Sequence, residues 1–168
     1  MTKIPPLLPE ETLQRVLRIA KFNGMSVLLI AGFFALAAAG GGDYPGAIVG
    51  LLVAGAGAIE LHGEGKLRAG DERGMNWLVG SQLYLAVVML SFCTLRLTHL
   101  EIEPIPESLK PIIELGAQQW QMTTEEYQLM IWRLTYRLLA LLTLFYQGGM
   151  ALYYFRRREA VTRALTGE

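Results

Sequence analysis

The residues best equipped for chemistry are three arginines and two glutamines set among apolar neighbours. Arg133 and Arg137 are four positions apart, so a helix brings both guanidinium groups to one face. Arg96 closes a different apolar run. A guanidinium held in hydrocarbon costs about 2.5–3.5 kcal/mol on insertion scales, so each of the three must snorkel to water, pair with an acid, or line a wet cavity. Glu101 and Glu103 follow Arg96 closely and are its candidate partners. Snorkelling with salt bridges is the expected outcome. The alternative is an arginine-lined vestibule that accepts an anion or a lipid phosphate. Gln82 and Gln147 fall in the inner halves of their runs and could meet. Amides so placed usually hydrogen-bond a neighbouring helix. With the arginines they could instead border a polar path.

The other reactive side chains form no constellation. Glu60, His62 and Glu64 alternate, so a helix separates them, whereas a helical metal pair needs spacing of three or four. Glu60 is expected to pair with Lys66, Arg68 or another cation at headgroup level. The two histidines, His62 and His99, fall on opposite membrane faces in a topology of alternating spans and cannot both ligate one haem within a subunit. Cys93 is the single cysteine and can make no internal disulfide. The glycines between Gly63 and Gly74 lack the spacing of a phosphate loop. No paired nucleophile and base, HExxH motif or CxxC motif occurs, and no apolar run has a carboxylate at its centre. An enzyme is therefore the least supported class, and neither cofactor nor metal is expected. Lysine plus arginine and aspartate plus glutamate balance at 15 each, which gives no reason to expect nucleic acid as a partner.

The elements that must carry these residues are long and apolar. Hydrophobic residues make up 52% of the 168 positions and are gathered into a few blocks, with the charge between them. That pattern predicts an all-α membrane protein, a four-transmembrane-helix bundle with spans at about 22–40, 46–62, 75–97 and 131–155. Together they make one transmembrane domain. An Ala37-x-Ala39 pattern resembles a signal-peptide cleavage site, but the lead is too long, and the first span is read as retained. Before it, Leu13, Val16, Leu17 and Ala20 share one helical face and Gln14, Arg15, Arg18 and Lys21 mostly the other. This N-terminal amphipathic helix is expected to lie in the headgroup region. Gly46, Gly50, Ala54 and Ala58 form a small-residue stripe that suits close helix packing, so the first two spans should make a hairpin. Residues 62–76 read as a charged loop. In the long outer segment, Pro104, Pro106 and Pro111 interrupt the chain, and a short helix after Ser108 would gather Leu109, Ile112, Ile113 and Trp120. Thr123-x-x-Glu126 is a capping box that should start the last helix, whose span Arg156, Arg157 and Arg158 then stop.

The cations fix an orientation. Eleven lie on the side of the N-terminus, the second connection and the C-terminus, and four (Arg96, Lys110, Arg133, Arg137) lie on the other. The positive-inside rule puts both ends in the cytoplasm, with a bacterial inner membrane assumed. The expected function is a non-catalytic membrane protein that packs with itself or with a membrane-protein partner, surrounded by membrane lipids. The alternative is a small oligomeric channel or transporter for an ion or small anionic solute, with Arg96, Arg133, Arg137, Gln82 and Gln147 facing water.

Overall fold

The computed structural model describes residues 8–99 and 107–167. Lys3, Glu101, Glu103, Pro104 and Pro106 lie outside the described residues, and so does the expected pairing of Arg96 with Glu101 and Glu103. The described chain is all helical: α1 Pro9–Gly40, α2 Tyr44–Arg68, α3 Gly74–Thr98, α4 Lys110–Gln119 and α5 Thr124–Thr166. Four of the five, all but α4, are long and apolar enough to cross a membrane.

Local chemistry sets the helix ends. Gly42 takes φ 81°, and the Asp43 carboxylate accepts the Gly46 N–H at 2.9 Å, which caps α2 with Pro45 in its first turn. Between α2 and α3, Gly70 also has φ 81°, and the Asp71 carboxylate accepts the Arg73 N–H at 2.9 Å and the Lys66 ammonium at 3.3 Å. Those backbone and lysine donors hold the Asp71 carboxyl below its ordinary value. The capping box forms as expected: Thr123 Oγ1 accepts the Glu126 N–H at 3.2 Å, and Glu126 Oε2 accepts the Thr123 N–H at 3.0 Å.

Two expectations need correction. The N-terminal amphipathic segment is not a separate surface helix; it is the start of an unbroken α1, with Thr12, Val16, Ala20 and Gly24 buried along one stripe. No glycine or proline interrupts residues 10–23 to turn the chain, and the small residues on that stripe let other helices close on it. The charged loop of residues 62–76 shrinks to residues 69–73, because α2 continues to Arg68 and α3 begins at Gly74. Past Arg156, Arg157 and Arg158, expected to stop the last span, α5 itself continues about two turns to a left-handed Gly167. The short outer helix appears as α4, with Pro111 in its first turn, and Leu109, Ile112 and Trp120 stay exposed.

The packing follows a ring, α1 against α2, α2 against α3, and α3 against α5, with α1 and α5 meeting least. Glycines set the closest approaches. A Cβ on Gly57 would fall 2.6 Å from the Gly24 carbonyl oxygen and from the Leu28 nitrogen, and one on Gly74 would fall 2.5 Å from the Gly63 carbonyl oxygen. Of the predicted stripe, Gly50 meets Ala35 of α1 and Ala54 is buried, while Gly46 faces its own cap and Ala58 is exposed. The expected α1–α2 hairpin therefore forms. The well-filled apolar core sits at one end of the bundle, where Val16, Ala20, Leu67, Met75, Leu78, Tyr154 and Val161 cluster. Along the rest, large apolar side chains such as Leu29, Phe33, Leu51, Val87, Leu142 and Phe145 point outward. In the most apolar stretch of each long helix only 17–28% of residues are buried.

Candidate functional site

Glu60 is the node of the site. It lies on the α2 face that the Gly57–Gly24 contact draws against α1, and only 2% of its surface is exposed. Its Oε2 accepts the Asn23 side-chain N–H of α1 at 2.7 Å, and its Oε1 accepts the Tyr154 hydroxyl of α5 at 2.7 Å. Gln82 of α3 supplies a further side-chain hydrogen bond. Tyr146 of α5 donates to Asn23 Oδ1 at 3.2 Å, which closes α5 back onto α1. One carboxyl group thus ties together all four long helices. The expected partners of Glu60 are taken elsewhere: Lys66 by Asp71, and Arg68 by Glu64 one turn away. Arg68 stands eight residues beyond Glu60, about 12 Å along the helix axis, and outside the bundle.

On the side of this node away from the filled core, the bundle opens. A cleft of about 660 Å³ lies between α1 and α5, floored by α2 and α3. Val27, Ile30 and Phe34 of α1, Val49 and Val53 of α2, and Leu85 of α3 give it apolar walls. Thr143 and Gln147 of α5 are its polar lining at depth, and both are more than nine-tenths buried. The Gln147 Oε1 atom has no hydrogen-bond partner, which is costly for a buried amide. Gln147 follows Tyr146 of the Glu60 network and shares one α5 face with Tyr154. The cleft therefore ends beside the node.

Its end away from the node meets a second hollow of about 400 Å³, to which Gly46, Val49 and Phe92 are common. Asp43, Arg96 and His99 stand at that mouth. The Arg96 guanidinium lies 5.6 Å from the ring centres of both Phe92 and Trp132, held by cation–π contact. From His99 to Leu85 along α3 is about 21 Å at 1.5 Å per residue, so a chain-like ligand has room lengthwise.

The five polar residues singled out from the sequence separate into groups. Arg96 is at the mouth and Gln147 in the cleft, whereas Gln82 belongs to the Glu60 node. Gln82 and Gln147 do not satisfy one another, because each Oε1 lacks a partner. Arg133 and Arg137 are exposed on α5 and border a different groove, of about 800 Å³, with Gln121 and Glu126. The three arginines do not share one vestibule. His62 packs edge-on against Trp77 at 4.9 Å near the inner end of α2, while His99 is at the opposite end of the bundle. Among the described residues, no group of three His, Cys, Asp or Glu side chains is placed to hold a metal ion.

Sequence reasoning missed Asn23 and Tyr154 as partners of Glu60, and Tyr146 as a partner of Asn23. Tyr154, just before the cations that follow the last apolar run, is fully buried. A usable signal existed: Thr143, Gln147, Ala151 and Tyr154 recur at helical spacing and mark the buried face of α5. The chain matches no protein-family model, no curated protein and no solved structure.

Proposed function

We propose that this chain is an integral membrane protein that binds a single-chain anionic amphiphile, such as a long-chain carboxylate, in its intramembrane cleft, as a non-catalytic carrier. The four spans would cross the bilayer with both ends in the cytoplasm, and a bacterial-type inner membrane fits the cation bias. The observation that carries the reading is the cleft itself. It is apolar along most of its length and bears Arg96 and His99, beside Asp43, at the mouth. A volume of about 660 Å³ is within the usual range for small-molecule sites. The outward-facing apolar belt supports the membrane setting, since water would not tolerate so much exposed hydrocarbon around one molecule.

The reading develops the small-anion alternative and needs no second copy, because one chain supplies every wall. Of the small-residue stripe, Gly50 meets Ala35 of the same chain and Gly46 faces its own cap. Arg96 would attract the head near the outer headgroup level, and the chain would lie along Val49, Val53 and Leu85.

Binding of radiolabelled hexadecanoate to detergent-purified protein tests this. Val49→Trp fills the junction of mouth and cleft and should weaken binding at least about tenfold, which is about 1.4 kcal/mol. Val87→Trp, on an exposed face, should leave binding unchanged. Equal effects of the two, or no saturable binding by the unaltered protein, would rule the cleft out.

A further inference from the structure

Near the inner end of the bundle a second groove, of about 560 Å³, lies between α1 and the end of α2. Its lining brings together Arg18, Lys21 and Arg68 with Leu17, Phe22 and Met25. No carboxylate is among the lining residues. Arg68 is oriented from behind: its Nε donates to Glu64, a side chain only 7% exposed, and the terminal guanidinium nitrogens remain for a ligand. Arg18 and Lys21 make no ion pair with any described residue. Three cations from two helices thus converge on one hollow, a charge arrangement that calls for an anion.

The surroundings identify which anion. Arg18, Phe22, Met25 and Leu29 fall at i, i+4, i+7 and i+11, on one face of α1. Phe22, Met25 and Leu29 are 76%, 41% and 62% exposed. The lane from Arg18 to Leu29 is about 16 Å long, close to half the hydrocarbon thickness of a bilayer. A free inorganic anion would satisfy the cations and leave this lane bare. A phospholipid satisfies both, with its phosphate among the cations and an acyl chain along the lane.

We propose that the groove holds an anionic phospholipid of the inner leaflet, its phosphate bound by Arg18, Lys21 and Arg68 and one acyl chain along Phe22, Met25 and Leu29. The inference rests on the membrane setting argued above but not on the amphiphile cleft, and Glu64 acts as a positioning residue for Arg68.

The test is native mass spectrometry of the full chain in detergent with equimolar phosphatidylglycerol and phosphatidylcholine. The unaltered protein should retain phosphatidylglycerol at least about tenfold better. Arg18→Gln/Lys21→Gln/Arg68→Gln should lose that preference while keeping phosphatidylcholine binding. Arg156→Gln/Arg158→Gln/Arg163→Gln removes as much charge from the same end of the bundle and should keep the preference. All six are exposed, but Arg68→Gln removes the charge paired with the buried Glu64, so helical circular dichroism checks the fold of each variant; Arg18→Gln alone, which leaves that pair intact, should give a partial loss. Inorganic phosphate at millimolar concentration should not displace the lipid. Equal retention of the two lipids by the unaltered protein, equal loss in both triple variants, or displacement by phosphate would each overturn the proposal. A chain that stays dissolved without detergent would refute the membrane setting itself, an outcome distinct from these.

Discussion

A single buried carboxyl holds four helices at one level, and its value is measurable by removing its partners one at a time. Tyr154→Phe leaves the ring packed and deletes only the hydroxyl that Glu60 Oε1 accepts at 2.7 Å. Hydrogen bonds to charged groups contribute about 1.5–3 kcal/mol in water-soluble proteins, and interhelical ones in membranes less, about 0.6 on average. Tyr154→Phe should therefore cost about 1–2 kcal/mol in detergent unfolding, and Asn23→Leu a similar amount. Because both act on one carboxyl, the double variant should depart from additivity by more than about 0.5 kcal/mol. Strict additivity would show that Glu60 does not couple the helices. Glu60 itself was visible in the sequence, but its role was not. A carboxylate near a span end pairs as readily with a loop cation as with a distant tyrosine, and the choice depends on which way α2 is rotated. Rotation is fixed by the Gly57–Gly24 contact, a tertiary fact that the predicted stripe of Gly46, Gly50, Ala54 and Ala58 only approximated.

For the helices, glycines at contacts and glycines at the surface should respond oppositely to alanine. Gly57→Ala places a methyl 2.6 Å from the α1 backbone, which cannot yield, so α1 and α2 must separate. A loss of about 2–3 kcal/mol is expected, read as a lowered melting temperature in detergent. At Gly80 the same methyl meets open space, and the gain in helix propensity should stabilise by up to about 1 kcal/mol. The start of α5, outside the span, carries a pH dependence. The Thr123 N–H and hydroxyl hold the Glu126 carboxyl below its ordinary value. Its stabilisation is thus complete above the ordinary glutamate range and is lost as pH falls through the lowered value. Amide exchange at residues 124–127, compared with an uncapped stretch, should lose protection below about pH 4, and Glu126→Gln should remove that step. Helix identity and this cap were legible because apolar length and capping chemistry are local. Helix extent was less so. The amphipathic pattern before residue 22 favours a surface helix, and only the burial of Val16 and Ala20 against other helices shows it to be the start of α1.

At the level of the whole molecule, the distribution of apolar surface separates two regions. One end has a filled core around Leu67, Met75 and Tyr154, and the other holds a cleft walled by the same helices. Four long apolar helices and their order were legible in the residue blocks, and the charge bias is the basis of the orientation proposed for them. The cleft does not, because it depends on α1 and α5 failing to close, and no periodicity in either helix encodes a gap. With Cys93→Ala as background, a cysteine at Lys66 should resist impermeant maleimide in intact cells and react after lysis, as the orientation requires. The amphiphile cleft is tested most directly by photolabelling in native membranes with a diazirine-bearing long-chain carboxylate, followed by peptide mapping. The account predicts saturable labelling of cleft-facing residues on two helices, Met89 and Phe92 of α3 and Thr143 and Gln147 of α5, with competition by unlabelled hexadecanoate. Labelling confined to outward residues such as Leu142 and Phe145, and not competed, would contradict it.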